Sequence, residues 1–245
     1  MFRIMTYNVH RCVGVDGRLD VGRVAAVIAQ CRPDIVALQE LDVGRARTGG
    51  VDQAHAIAAR LGMSFHFHAA LQVAEERYGD AILTTAPLKL IKAGPLPGSP
   101  TIRGLEPRGA LWVEVQIEGR AVQIVNTHLG LVPHEQRVQA TRLAGPEWLG
   151  HPDCADPAIL LGDFNATARY AAYRTLAAGL KDARVAAAAG GRRAPPTFPS
   201  RFPVLAIDHI FVSKSIEVSA VTTPVHGLMR LASDHLPLMA DLSLR

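Results

Sequence analysis

The strongest constraint on this chain is where its costly polar residues fall relative to its apolar runs. Asn8 closes the first run, Glu40 closes IVALQE, Asn126 and His128 close VQIVNTH, and Asp163 with Asn165 closes AILLGDFN. Asp208 and His209 instead open IDHIFV, and Asp234 with His235 opens the last run. A buried carboxylate or imidazole needs a partner or a metal. In a mixed sheet, antiparallel neighbours bring the ends of some strands to the same edge as the starts of others. All of these groups are therefore expected at one rim, where together they form a site. Any one of them alone reads as a turn or cap residue.

The runs themselves predict alternating strands and helices. Strands are expected over residues 2–9, 34–39, 80–83, 88–93, 110–117, 121–128, 159–161, 208–212 and 236–242. Helices are expected over 21–30, 51–61, 133–143 and 168–178, the second stopping at Gly62. Glu118-Gly119-Arg120 reads as a hairpin turn, and so many strands imply two packed sheets. Residues 186–203, rich in Ala, Gly, Arg and Pro, read as an exposed loop lying over the rim.

With 49% hydrophobic and 20% charged residues over 245 positions, the chain is expected to fold as one domain, 1–245. Its net charge of +4 suits an anionic substrate, but Arg3, Arg23, Arg60 and Arg142 are scattered like a solvated surface; only Arg192, Arg193 and Arg201 cluster. Cys12, Cys31 and Cys154 form no close pair, which argues against a disulfide framework and for a reducing compartment. The first residues read as a strand, not a signal peptide, and no run approaches the ~20 apolar residues of a spanning helix. A cytoplasmic location is expected.

The polar set combines hard oxygen donors with histidines and no cysteine pair, which favours Mg²⁺ or Mn²⁺ over structural zinc. Glu40 is the best single ligand. Mg²⁺ usually takes only one or two protein carboxylates beside substrate phosphate, leaving the other acids free to act on water. That division of labour describes phosphodiester hydrolysis.

The motifs TYNVH (6–10), LQE (38–40), ERYGDAIL (76–83), NTHL (126–129), GDFN (162–165), IDHIFV (207–212) and SDHLPL (233–238) resemble the endonuclease/exonuclease/phosphatase (deoxyribonuclease I-like) family. The resemblance implies a four-layer α/β sandwich, with two packed mixed β-sheets flanked by helices. It implies that Asn8 and Glu40 bind the metal, with Asp234 a further ligand directly or through water. Asp163 resembles the carboxylate that orients or deprotonates the attacking water, and Asn165 its phosphate-contacting neighbour. Asp208 and His235 look like an acid–imidazole pair, and His128 like the second active-site histidine. Glu76 is the family's candidate for supporting His128. Arg108 is read as either a phosphate contact or a structural residue. His10, His55, His66, His68, His134, His151 and His226 have no motif support and are expected at the surface or in packing.

The family's core serves nucleases, sphingomyelinases and phosphatases alike. Abasic-site nucleases of the family carry a Lys after LQE and a WSYR-like segment before the Asp208 position; here Leu41-Asp42 and TFPSRFPVLAIDH stand instead. The TFPS segment, the YGDAILT strand and the short chain look closer to members acting on phospholipid, sphingolipid or small phosphodiesters. Phe198, Phe202, Val204 and Leu205 are then read as either meeting a membrane surface peripherally or packing the loop down. An endonuclease or exonuclease acting on DNA or RNA is the alternative. A non-catalytic anion-binding module is the remote one, since its mark would be loss of acids that are all present.

Overall fold

The computed structural model describes residues 1–99, 102, 104–188 and 194–245, so Arg192 and Arg193 lie outside the described residues. Along β1 (Phe2–Asn8), Phe2 and Ile4 face one apolar cluster while Met5 and Tyr7 face another. This is the two-residue period of a strand buried on both faces. β2 (Ile35–Val43) divides the same way, with Ile35 and Ala37 on one side and Val36 and Leu38 on the other. Between the two strands runs α1 (Val21–Cys31), whose Val24, Val27, Ile28 and Cys31 share the second cluster. Asp20 caps this helix by accepting from the Arg23 N–H at 2.9 Å. The following α2 (Gln53–Leu61) starts two residues later than expected because Asp52 is its cap, and it ends on Gly62 in the left-handed region.

The remaining elements are β3 (Ser64–Val73), β4 (Glu76–Thr84), β5 (Leu88–Pro95), β6 (Gly109–Ile117), β7 (Arg120–His128), α3 (Pro133–Ala144), β8 (Ala158–Asp163) and α4 (Ala171–Ala177). They are followed by β9 (Lys181–Asp182), α5 (Ala183–Ala188), β10 (Asp208–Val212), β11 (Ile216–Thr222), α6 (Met229–Ala232) and β12 (Leu238–Leu244). Two six-stranded sheets result, ordered β11-β12-β1-β2-β4-β3 and β5-β6-β7-β8-β10-β9. Each holds one parallel pair at its centre, β1/β2 and β7/β8, among antiparallel neighbours. Glu118 and Gly119, both at positive φ, form the two-residue turn between β6 and β7.

Ile4, Ile35, Ile82, Val113, Ile124, Leu161, Ile210 and Leu238 pack between the sheets. A second layer lies under α1, α2 and α6 and a third under α3 and α4. The expected four-layer sandwich is thus observed. Each fully buried Ile or Leu contributes about 1.5–3 kcal/mol, so the layer between the sheets holds their separation firmly.

The structure adds β3, β9, β11, α5 and α6 to the expected elements. β3 escapes a pattern search because SFHFHAALQV is only half-buried on both faces and its register shifts between Ala69 and Leu71. β11 has a shift as well, between Val218 and Ala220. The helix expected from residue 168 begins at Ala171, because Tyr170 N–H closes a turn on Thr167 O at 3.0 Å. The loop expected over 186–203 is likewise shorter and better anchored. α5 runs to Ala188, residues 189–193 lie outside the described residues, and Thr197 and Ser200 are buried. Ser200 N–H donates to Asp234 O at 2.7 Å and Leu236 N–H to Thr197 O at 2.8 Å, which stitches this loop to the segment carrying His235. Among the described residues, no helix is long and apolar enough to cross a membrane.

Candidate active site

Strand period carries the polar residues to one place. On β8, Ile159 and Leu161 face the layer between the sheets, so Asp163 does too at the strand's end. On β7, Val122 and Ile124 put Asn126 and then His128 on that face; on β10, Ile210 and Val212 put Asp208 there. His209, one residue out of phase, goes to the opposite face. It shares a hydrogen bond with Ala166 O at 2.8 Å and lies 3.4 Å from Asp182, so it is no part of the rim. Asn126 stops short of the rim as well. Its amide donates to Leu38 O and Ala81 O and accepts from Gln39 Nε2, a buried polar brace tying one sheet to the other beneath the site.

Glu40 reaches the site by a different route. Period alone would send it, like Val36 and Leu38, toward the helices. The register of β2 against β4 shifts between Leu38 and Leu41, and Glu40 takes φ +63°. This bulge turns its carboxylate to Asn8, whose Nδ2–H donates to Glu40 Oε1 at 3.0 Å. Asn165 sits at φ +48°, and His10, Arg11 and Cys12 form a left-handed turn just after Asn8. Such conformations cost about 1–3 kcal/mol per residue and cluster where a site over-determines them. The turn lets the His10 backbone N–H donate to Asn8 Oδ1 at 3.0 Å, so His10 holds Asn8 through its main chain.

Asp163 Oδ2 is the focus of the centre. Asn8 Nδ2–H donates to it at 3.0 Å, His128 Nε2 stands 3.5 Å away and His235 Nε2 3.6 Å away. Asn165 N–H donates to the other oxygen at 2.8 Å. Behind the second imidazole, His235 Nδ1 and Asp208 Oδ2 share a hydrogen bond of 2.9 Å. Phe198 packs against the same ring, their centroids 4.8 Å apart. Asp234 is half-buried and within reach of the Ser233 hydroxyl at 3.3 Å.

These neighbours drive the groups apart electrically. Burial raises the Asp163 carboxyl to about 6; His235 pulls the other way and Asp208 adds repulsion. Burial disfavours the His235 cation, but Asp208 and Asp163 outweigh it and lift the ring to about 10. Burial, then Arg108, then His235 hold His128 well below the ordinary imidazole range. The site therefore sets a cationic and a neutral imidazole on either side of one carboxylate.

The donor chemistry fits a hard divalent cation. Glu40, Asp163, Asp208 and Asp234 offer only oxygen, and Asp208 Oδ1 is buried without a hydrogen-bond partner among the described residues. One ligand atom from each of Asp163, Asp208 and His235 lies within 4.8 Å of the others. Asn8 presents its N–H groups to the two carboxylates, with its oxygen taken by His10; ligation by Asn8 requires its amide to turn over.

One further residue sits otherwise than expected. Glu76 accepts from Ala46 N–H and pairs with Arg45, whereas the residue behind His128 is Arg108, its Nη1 2.9 Å from Nδ1. Asp80, from the same strand as Glu76, is buried, and burial raises its carboxyl to about 8 against the pull of Arg108.

Gly162 has φ +148°, and a Cβ there would overlap the carbonyl oxygen of Thr127 on β7. The β7/β8 register sets His128 opposite Asp163 one residue further on. Gly162→Ala is expected to cost about 3 kcal/mol, read as a lower urea midpoint at unchanged slope. An unchanged midpoint would mean that this close approach is dispensable.

Residues 5–235 match the sequence pattern of the Endonuclease/Exonuclease/phosphatase family. The Escherichia coli (strain K12) protein YbhP is 28% identical over 255 aligned positions, covering 99% of this chain and 96% of that protein. The crystal structure of an endonuclease/exonuclease/phosphatase from Beutenbergia cavernae DSM 12333 superposes with a TM-score of 0.80 at 25% identity, covering 99% of this chain and 71% of that one. The mannosyl-6-phosphatase of Bacteroides thetaiotaomicron VPI-5482 superposes with a TM-score of 0.76 at 20% identity over the full length of both, a likeness of fold alone. With the family's pattern running through both sheets and ending on His235, the chain belongs to the endonuclease/exonuclease/phosphatase family, whose members are hydrolases acting on phosphate esters.

Proposed function

We propose that this protein is a Mg²⁺-dependent phosphodiesterase, with Mn²⁺ an alternative cation, acting through one catalytic domain over residues 1–245. The observation that carries the reading is the convergence of Asn8, His128 and His235 on Asp163 Oδ2, with Glu40 alongside. Glu40 would hold the cation, with Asp234 and a turned Asn8, and the bound cation would neutralise charge on the phosphoryl group. Ionised Asp163 takes a proton from the attacking water as the water oxygen bonds to phosphorus and the ester oxygen leaves in line. Cationic His235, neutral His128 and the Asn165 amide donate hydrogen bonds to the phosphoryl oxygens, where negative charge grows.

The preferred substrates are phospholipids, sphingolipids or small phosphodiesters. Phe202 and Val204 are 76% and 71% exposed, and Leu205 is exposed too, on the loop whose Phe198 packs against His235. Three exposed apolar side chains on that loop suit an interfacial substrate. Nucleic acid remains the second reading.

The test is hydrolysis of plasmid DNA, an abasic-site duplex, RNA, sphingomyelin, glycerophospholipids and inositol phosphates, with Mg²⁺ and with EDTA. The expected result is cleavage of lipid or small esters, abolished by EDTA and restored by Mg²⁺. Cleavage confined to nucleic acid would replace the preferred substrate class. Turnover undiminished in EDTA would overturn the metal dependence, and absence of all turnover would favour an anion-binding module.

A further inference from the structure

His128 and His235 stand almost equidistant from Asp163 Oδ2, yet opposite charges lie behind them. Behind His235 Nδ1 is the carboxylate of Asp208 at 2.9 Å. Behind His128 Nδ1 is the guanidinium of Arg108 at 2.9 Å, its Nη1 also 3.0 Å from Glu106 Oε2. Arg108 is 7% exposed, and its position just before β6 holds it against the end of β7.

A guanidinium has donors and no acceptor. A hydrogen bond from Arg108 therefore requires a lone pair on His128 Nδ1, so the ring's single proton must sit on Nε2. That proton points into the site, where Asp163 Oδ2 lies 3.5 Å away. Asn165 Nδ2, 3.1 Å from the same nitrogen, cannot also donate to it; its bond to Leu129 O at 3.0 Å remains. The carboxylate behind His235 imposes no such restriction, and that ring can carry protons on both nitrogens.

We propose that Arg108 is a positioning residue that locks His128 as its neutral Nε2–H tautomer, making this imidazole a fixed hydrogen-bond donor to the phosphoryl group instead of a source of protons. The inference rests on the catalytic reading of the Asp163 centre for its consequence in turnover, but the tautomer itself follows from the Arg108 contact alone. Asp80 extends the arrangement, because its carboxyl group accepts the Glu40 N–H and also lies by Arg108. The guanidinium that fixes His128 thus adjoins the bulge that presents Glu40.

Long-range ¹H–¹⁵N spectra of ¹⁵N-histidine-labelled protein decide the tautomer without any substrate, with His128→Gln identifying the His128 signals by their disappearance. The expected pattern for His128 is a neutral ring protonated at Nε2, in wild type and in Arg108→Lys, since lysine is also donor-only. Arg108→Met should lose this pattern. Its kcat should fall about 10–100-fold while KM changes little, with partial rescue in Arg108→Lys. In the His128→Gln background, Arg108→Met should cost nothing further, because Arg108 acts through His128. A wild-type ring that is cationic or protonated at Nδ1 would overturn the proposal, as would full additivity of the two substitutions. If no ester is turned over, the spectra alone decide, and only the catalytic reading fails.

Discussion

Asp163→Asn protein is expected to fold normally and to hydrolyse phosphate esters about 10²–10⁴-fold more slowly than wild type, the range associated with loss of a general base. The amide keeps the shape of the carboxylate and can still accept from Asn165 N–H, but it cannot take a proton from water. Wild-type activity should rise as pH climbs through about 6, where Asp163 ionises, and a bound cation should move that limb to lower pH. The same shift makes a thermodynamic prediction. An acid whose folded pKa is raised binds its proton more tightly folded than unfolded, so stability falls as pH rises from the unfolded value toward 6 and is not regained above it. Without divalent cation, the wild type should lose melting temperature over that interval and Asp163→Asn should lose less. Steady-state kinetics beside melting curves in EDTA from pH 4 to 8 check both halves. Near-wild-type turnover by the folded variant would sink the assignment of Asp163.

The second large effect belongs to the acid–imidazole pair. Asp208→Asn should lower turnover about 10²–10³-fold, the scale for losing one preorganised donor at a developing oxyanion. Burial alone would push His235 toward neutrality, and Asp208 is the leading force holding it charged, near a pKa of about 10. In wild type, the activity that depends on this charge should persist through neutral pH and fall as pH rises through about 10. In Asp208→Asn that limb should move to the acid side. The contribution of the pair to stability has the same sign: present below the unfolded histidine pKa and lost as pH rises through the folded one. An alkaline limb that stays in place would mean that His235 does not need its charge.

What could be read from the sequence follows the period of the strands. Asp163 and Asp208 extend an inward-facing apolar alternation by one step, and Asn8 and His128 by two, past Thr6 and Asn126, so their direction was legible. Glu40 is marked by its place at the end of IVALQE; its direction depends on a bulge and a left-handed residue that no alternation encodes. The same alternation, applied strictly, would have removed His209 from the rim. Asn126 has the right direction but lies one pleat too deep, where it braces the sheets. The partner of His128 was not legible, because Arg108 approaches from before β6 while the residue suggested by family likeness, Glu76, is drawn off by Arg45 and Ala46 N–H. β3 and β11 stayed hidden for the related reason that shifted register breaks their pattern.

Asn8, Glu40 and His235 come from one sheet or its loops; His128, Asp163, Asn165 and Asp208 come from the other. The Asn8–Asp163 and His235–Asp208 hydrogen bonds are therefore rivets across a seam, and the complete site exists in neither sheet alone. Turnover becomes a gauge of how far apart the sheets stand, sensitive on the scale where a displacement of about 1 Å costs on the order of a hundredfold in rate. The wide apolar layer beneath the seam, remote from any reacting atom, is in that sense the alignment mechanism of the enzyme.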